Sequence, residues 1–101
     1  METARRHIVL KQVLWDYNIP IEDIDAVLRG DLNRAGHYNQ EMIFLKLLES
    51  YPWFTILELM SPDQINQLLT HQLIKKLRSP SLRQKYEFVQ KRLQQVIPTA
   101  R

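Results

Sequence analysis

The stretch SPSLRQKYEFVQKRLQQV, residues 79–96, decides the fold class of this chain. Its serine and proline are typical of a helix start, because serine caps free N–H groups and proline suits the first helical turn. Apolar residues then follow at spacings of four, three, four and three, the repeat of one helix face. They are Leu82, Tyr86, Val89, Leu93 and Val96. The stretch predicts a long amphipathic helix that ends before Pro98.

The same start signals recur towards the N-terminus. Ser61-Pro62 with Gln64 has the pattern of a capping box, and Thr70 can cap a further piece, so this region forms one kinked helix or two. No segment alternates apolar and polar residues as a half-buried strand does. The sequence therefore predicts an all-α protein, a compact bundle of about five to six helices, as one domain over residues 1–101 with a loose tail at 97–101.

Two segments have apolar residues on more than one side of the predicted helix. The first helix is predicted over residues 4–17, where Trp15 lies off the stripe formed by Leu10 and Leu14. The segment Trp53–Met60 has six apolar residues in eight. It is predicted to form the heart of the core or to lie partly at an interface, and partial exposure would favour a homodimer.

Composition excludes several classes of protein. The chain has no cysteine, so it has no disulfide, no thiolate zinc site and no cysteine nucleophile. Its most apolar stretch, residues 42–60, carries charges and a proline, so we expect no membrane span. There is no apolar signal core near Met1. These features favour a cytoplasmic location.

No pattern of catalytic or metal-binding residues is found. His7, His37 and His71 stand apart from one another, and each is interpreted as a lone surface histidine. Helix-start electrostatics accounts for the acidic group Glu22, Asp23 and Asp25. We therefore expect no catalytic residue, no cofactor and no metal, and a small hydrolase or nuclease that uses His37 is the weakest alternative.

The charge is uneven along the chain. Residues 1–50 hold six Lys/Arg and eight Asp/Glu, a net of −2, whereas residues 51–101 hold eight and three, a net of +5. The acidic first half and the basic second half can attract each other within the fold, dock two copies head to tail, or face different partners. The alternative function is nucleic-acid binding through the basic C-terminal helix and the residues before it. The predicted contacts are Lys75, Lys76, Arg78, Arg83, Lys85, Lys91 and Arg92.

Aromatic residues outside the core stripes favour a protein-interaction module. Exposed tryptophan is a frequent anchor of protein interfaces, and a ring between two cations can stack on a partner side chain. The loop RAGHY, residues 34–38, offers a cation and two rings, and its alternative interpretation is a structural turn at Gly36. The predicted partner-binding residues are Trp15, Arg34, His37, Tyr38, Arg83 and Phe88.

Five short stretches over about 80 residues form a further set: LWDYNI at 14–19, AGHY at 35–38, LLESYPWFT at 47–55, LRSPSLR at 77–83 and KYEFV at 85–89. The set resembles a family of small uncharacterised bacterial all-helical proteins. Genes of that family often lie beside nucleotidyltransferases of the abortive-infection, toxin-like type. The resemblance implies a non-enzymatic cytoplasmic protein, an accessory or antitoxin-like partner of the nucleotidyltransferase, and it carries over no catalytic residues.

Overall fold

The computed structural model describes residues 1–14 and 18–96, and it confirms the all-α class. The described residues form seven helices and no β-strand. The helices are α1 Thr3–Lys11, α2 Ile21–Arg29, α3 Gln40–Ser50, α4 Trp53–Leu59, α5 Pro62–Leu68, α6 His71–Lys75 and α7 Pro80–Val96. Trp15, the predicted end of the first helix and the predicted loose tail all lie outside the described residues.

Side-chain caps begin three of the helices, and the caps at Ser61 and Thr70 are the predicted ones. The Asn39 side chain accepts from the Met42 N–H (2.8 Å), and Ser61 forms the capping box with Gln64. Thr70 accepts from the N–H of Leu73 at 3.1 Å, so α5 and α6 are separate helices rather than one kinked helix. This break makes seven helices where five or six were predicted. Each cap satisfies an N–H that the helix itself leaves without a partner.

The first helix is shorter than predicted. It ends at Lys11, whereas the apolar stripe continues through Leu14. Leu10 accepts from the N–H of Val13 (3.2 Å) and from that of Leu14 (2.8 Å), so a turn follows the helix. The turn keeps Leu14 on the buried side, at 1% exposed. The periodicity therefore predicted the burial of Leu14 correctly and the helix end wrongly.

The chain divides into two compact units, unit 1 at Met1–Leu59 and unit 2 at Met60–Arg101. In unit 1 the amide of Gln40 donates to the carbonyl of Leu28, near the end of α2 (3.0 Å). The main buried side chains of unit 1 are Leu10, Ile24, Val27, Leu28, Ile43, Phe44, Leu47, Leu48 and Ile56. A polar side chain thus binds a carbonyl that the helix end leaves open.

In unit 2, as in unit 1, a glutamine amide donates to a carbonyl at the end of a helix. The amide of Gln90 on α7 donates to the carbonyl of Leu69, just after α5 (2.8 Å). Its buried side chains are Met60, Ile65, Leu69, Leu73, Ile74, Leu77 and Tyr86. The predicted stripe of α7 is fully buried only at Tyr86, and Val96 is 71% exposed. The prediction of one domain over the whole chain stays a prediction.

Candidate protein-interaction surfaces

An exposed aromatic ring lies among cations on α7. Phe88 is 65% exposed and lies on the opposite side of the helix from the buried Tyr86. Lys85, Lys91 and Arg92 are three or four residues from it, so all four side chains share one face. We call these four residues the α7 outer face. Its arrangement is an apolar centre with a positively charged rim.

The α7 outer face keeps its positive charge. Among the described residues, Lys91 and Arg92 make no ion pair. Lys85 lies with its Nζ 5.3 Å from the ring centroid of Tyr86, a cation–π contact that leaves the charge in place. Because opposite charges attract at short range even in solvent, the face favours an acidic partner.

Arg83 has a structural role on the same helix. Its guanidinium donates to the carbonyls of Leu77 (2.5 Å) and Arg78 (3.4 Å), and its side chain is half-buried. These carbonyls follow the end of α6, so Arg83 binds groups that the helix does not satisfy. Lys75, Lys76 and Arg78 are exposed around this point, in the same unit as the α7 outer face.

The loop RAGHY forms a tight turn in unit 1. Ala35 and Tyr38 exchange two backbone hydrogen bonds of 3.0 Å, and Gly36 has a positive φ of 59°. A Cβ atom on Gly36 would collide with the side chain of Ile19. Arg34 and His37 are exposed, and the ring centroids of His37 and Tyr38 are 4.2 Å apart. A structural turn thus explains the glycine at position 36 and the backbone bridge between Ala35 and Tyr38. The side chains of Arg34 and His37 remain exposed to solvent.

A buried carboxylate that sequence reasoning misinterpreted lies in unit 1. Asp25 is 1% exposed. Arg6 donates to its Oδ1 from Nε (3.1 Å) and Nη2 (2.6 Å), and His7 Nε2 lies 3.1 Å from its Oδ2. Arg29, one turn further along α2, approaches Oδ1 to 3.8 Å. Helix-start electrostatics is therefore the wrong explanation for Asp25, and His7 is not a lone surface histidine.

The cations around Asp25 decide its protonation. Burial alone would raise its pKa, but the hydrogen bond and charge of Arg6, with the charges of Arg29 and His7, outweigh burial and hold the pKa below its usual value. Arg6 also donates from Nη1 to the carbonyl of Leu59 (2.5 Å). The cluster thus joins α1 to α2 and to the end of α4. All three guanidinium nitrogens of Arg6 and both carboxylate oxygens of Asp25 have internal partners, which is typical of a structural site.

The second exposed apolar face lies on α4. Phe54 is 67% exposed and Leu57 is 41% exposed, with the exposed Glu58 beside them at helical spacing. We call these three residues the α4 outer face. Ile56 and Leu59 on the other side are buried. Of the two interpretations of Trp53–Met60, partial exposure is therefore correct, because a helix of seven residues buries only one side.

The predicted contact residues fall into two groups. Arg34, His37 and Tyr38 lie in one loop of unit 1, whereas Arg83 and Phe88 lie on α7 in unit 2. The sequence left open whether Trp53–Met60 lies in the core or partly at an interface, and residues 54, 57 and 58 show the helical spacing of the exposed side. Within residues 1–14 and 18–96 no three His, Asp or Glu side chains are grouped as metal ligands.

The described residues form an all-helical structure in which the α7 and α4 outer faces each expose a phenylalanine ring. None of the helices in the described ranges has the length and apolar character needed to cross a bilayer. Comparison with known proteins finds no match to a family model, a curated protein or a solved structure.

Proposed function

We propose that this chain is a non-enzymatic protein-interaction module and that the α7 outer face is its main contact surface. The observation that carries the proposal is Phe88, a large ring 65% exposed at the centre of a cationic face. Interfaces typically have an apolar anchor at the centre and a polar rim around it. The partner that fits is a protein surface with an apolar pocket and acidic residues at its edge.

The family resemblance supports a more specific form of the proposal. It names a nucleotidyltransferase of the abortive-infection type as the partner, with this chain as an antitoxin-like regulator in the bacterial cytoplasm. Arg34, His37 and Tyr38 then provide a second contact from unit 1, and Trp15 is a further contact residue in the proposal.

A tagged full-length chain should capture this partner from its native host at moderate salt with nuclease added. Binding of the purified partner is then measured by calorimetry for the wild type and Phe88→Ala. We expect a loss of about 2 kcal/mol or more, roughly a thirtyfold rise in Kd, because buried aromatic anchors dominate interface energies. Val96→Ala is the matched control, since Val96 is 71% exposed on the same helix and lies outside the α7 outer face. Unchanged affinity for Phe88→Ala would refute the proposed surface.

Nucleic-acid binding is the second candidate function. The observation that favours it is the exposure of Lys75, Lys76, Lys85, Lys91 and Arg92 within unit 2. Binding to a labelled duplex or single strand should then weaken steeply with salt, because counterions are released from each phosphate contact. Flat or absent binding between low and moderate salt would remove this function. Arg83 contributes less than the other cations, since its guanidinium already donates to two carbonyls.

A further inference from the structure

We infer that the α7 outer face of one copy binds the α4 outer face of a second copy, so that copies associate head to tail. The inference rests on the proposed function in one respect, since both use the α7 outer face. It also gives a specific partner to the α4 outer face, which the sequence left as either core or interface.

The two faces expose similar aromatic anchors. Phe54 on α4 is 67% exposed and Phe88 on α7 is 65% exposed, so neither ring is buried in a single copy. Each ring is followed at three and four residues by side chains of the same face. On α4 these are Leu57 and Glu58, and on α7 they are Lys91 and Arg92. Two helices can therefore bury both rings in one contact.

The two units, and the two faces on them, carry opposite charge. Counted over the sequence, unit 1 has six Lys/Arg and nine Asp/Glu, a net of −3, and unit 2 has eight and two, a net of +6. At the faces themselves, Glu58 meets Lys91 and Arg92. Among the residues that the structure describes, Glu58 makes no ion pair, so its charge is available for this contact. Charge complementarity of this kind selects the pairing of surfaces.

The same charges disfavour the symmetric alternatives. A contact between two α7 outer faces brings six cations together, and a contact between two α4 outer faces places Glu58 against Glu58. Like charges across an interface are repulsive, so the head-to-tail pairing is the one that both faces favour. Because this pairing joins two different faces, each copy in a pair still has one unoccupied face. Further copies can therefore add, and the assembly is a ring or an open chain. A contact of a few side chains belongs to the weak class of interfaces, below about 1,200 Å².

Sedimentation velocity tests the inference with Phe54→Ser and Phe88→Ser, which each disable one face. Both rings are mostly exposed, so the variants should fold, and circular dichroism checks this. From about 10 µM to about 1 mM, a range that spans weak affinities, the wild type should grow beyond a dimer and should do so less at high salt. Each variant alone should remain a monomer. Ile8→Ser is the matched control, because Ile8 is 60% exposed on α1, and it should behave as the wild type.

An equimolar mixture of the two variants gives the decisive result. Each variant keeps the face that the other lacks, so the mixture should form a dimer and nothing larger. A wild type that is monomeric throughout, a single variant that still dimerises, or a mixture that stays monomeric would each overturn the inference. If the wild type is monomeric while Phe88→Ala still weakens binding of the captured protein, head-to-tail association fails and the proposed function stands.

Discussion

Replacing Asp25 with Asn tests the charge cluster at the centre of unit 1. The substitution keeps the size of the side chain and removes its negative charge. One acceptor oxygen remains for Arg6, but an amide NH₂ replaces the other oxygen, which faces His7 Nε2 at 3.1 Å. Arg6 is then a mostly buried cation without a counter-ion, since its side chain is 13% accessible. We expect a substantial loss of stability.

The magnitude follows from the contacts. Breaking a fully buried ion pair costs about 3–5 kcal/mol, and a hydrogen bond to a charged group contributes about 1.5–3 kcal/mol. Asn retains one acceptor, and Arg6 and His7 still reach some solvent, so the expected loss lies below the first range. We predict a decrease of about 2–3 kcal/mol in the free energy of unfolding, which lowers Tm by about 10–20 °C in a chain of this size.

Urea unfolding at neutral pH measures this loss, with Glu22→Gln on the same helix as the control. Glu22 is exposed, so its substitution should cost no more than about 1 kcal/mol, the value of a charge near a helix start. The pH dependence gives a second measurement. The folded pKa of Asp25 lies below its ordinary value of 3.8. The stability that its ionised form contributes is therefore complete above pH 3.8 and is lost as the pH falls below 3.8 through the folded pKa.

Asp25→Asn lacks this contribution, so its stability should fall less steeply with acid than that of the wild type. If Asp25→Asn were as stable as the wild type at neutral pH, or lost stability in acid just as steeply, the cluster would not stabilise the fold as described.

Three further substitutions test other contacts, each by urea unfolding. Gly36→Ala should cost more than about 1 kcal/mol, because φ is positive and the new Cβ collides with Ile19; a neutral result would contradict the turn. Ser61→Ala should cost about 1 kcal/mol through loss of the capping box, and a cost near zero would mean that the box does not form in solution. Arg83→Met should cost about 1 kcal/mol by leaving the carbonyl of Leu77 without its donor, whereas a stable variant would show that water replaces it.

The sequence predicted those parts of the fold that local signals determine. The caps at Ser61 and Thr70 depend only on residues within one turn, so the sequence predicted them correctly. The end of α1 was not, because the apolar spacing continues through Leu14 after the backbone leaves the helix. Periodicity reports the side on which a residue lies, and a turn can preserve that side.

The surfaces and the charge cluster were harder to predict. Arg29 lies four residues from Asp25, a spacing that the sequence shows, but Arg6 lies 19 residues away and no local pattern joins them. Phe88 was expected off the core stripe, and it is exposed. The exposure of Phe54 was left open, because an apolar-rich helix is typical of both a core and an interface.

The hydrogen bond from Arg6 to the carbonyl of Leu59 has a consequence for the order of synthesis. The two residues are 53 apart, so at about 5–20 residues per second the acceptor is made about 3–11 s after the donor. During that interval Arg6 on the nascent α1 can bind Asp25, which has already been made, but not the carbonyl of Leu59. The final closure of unit 1 on the ribosome must therefore wait for the last residue of α4.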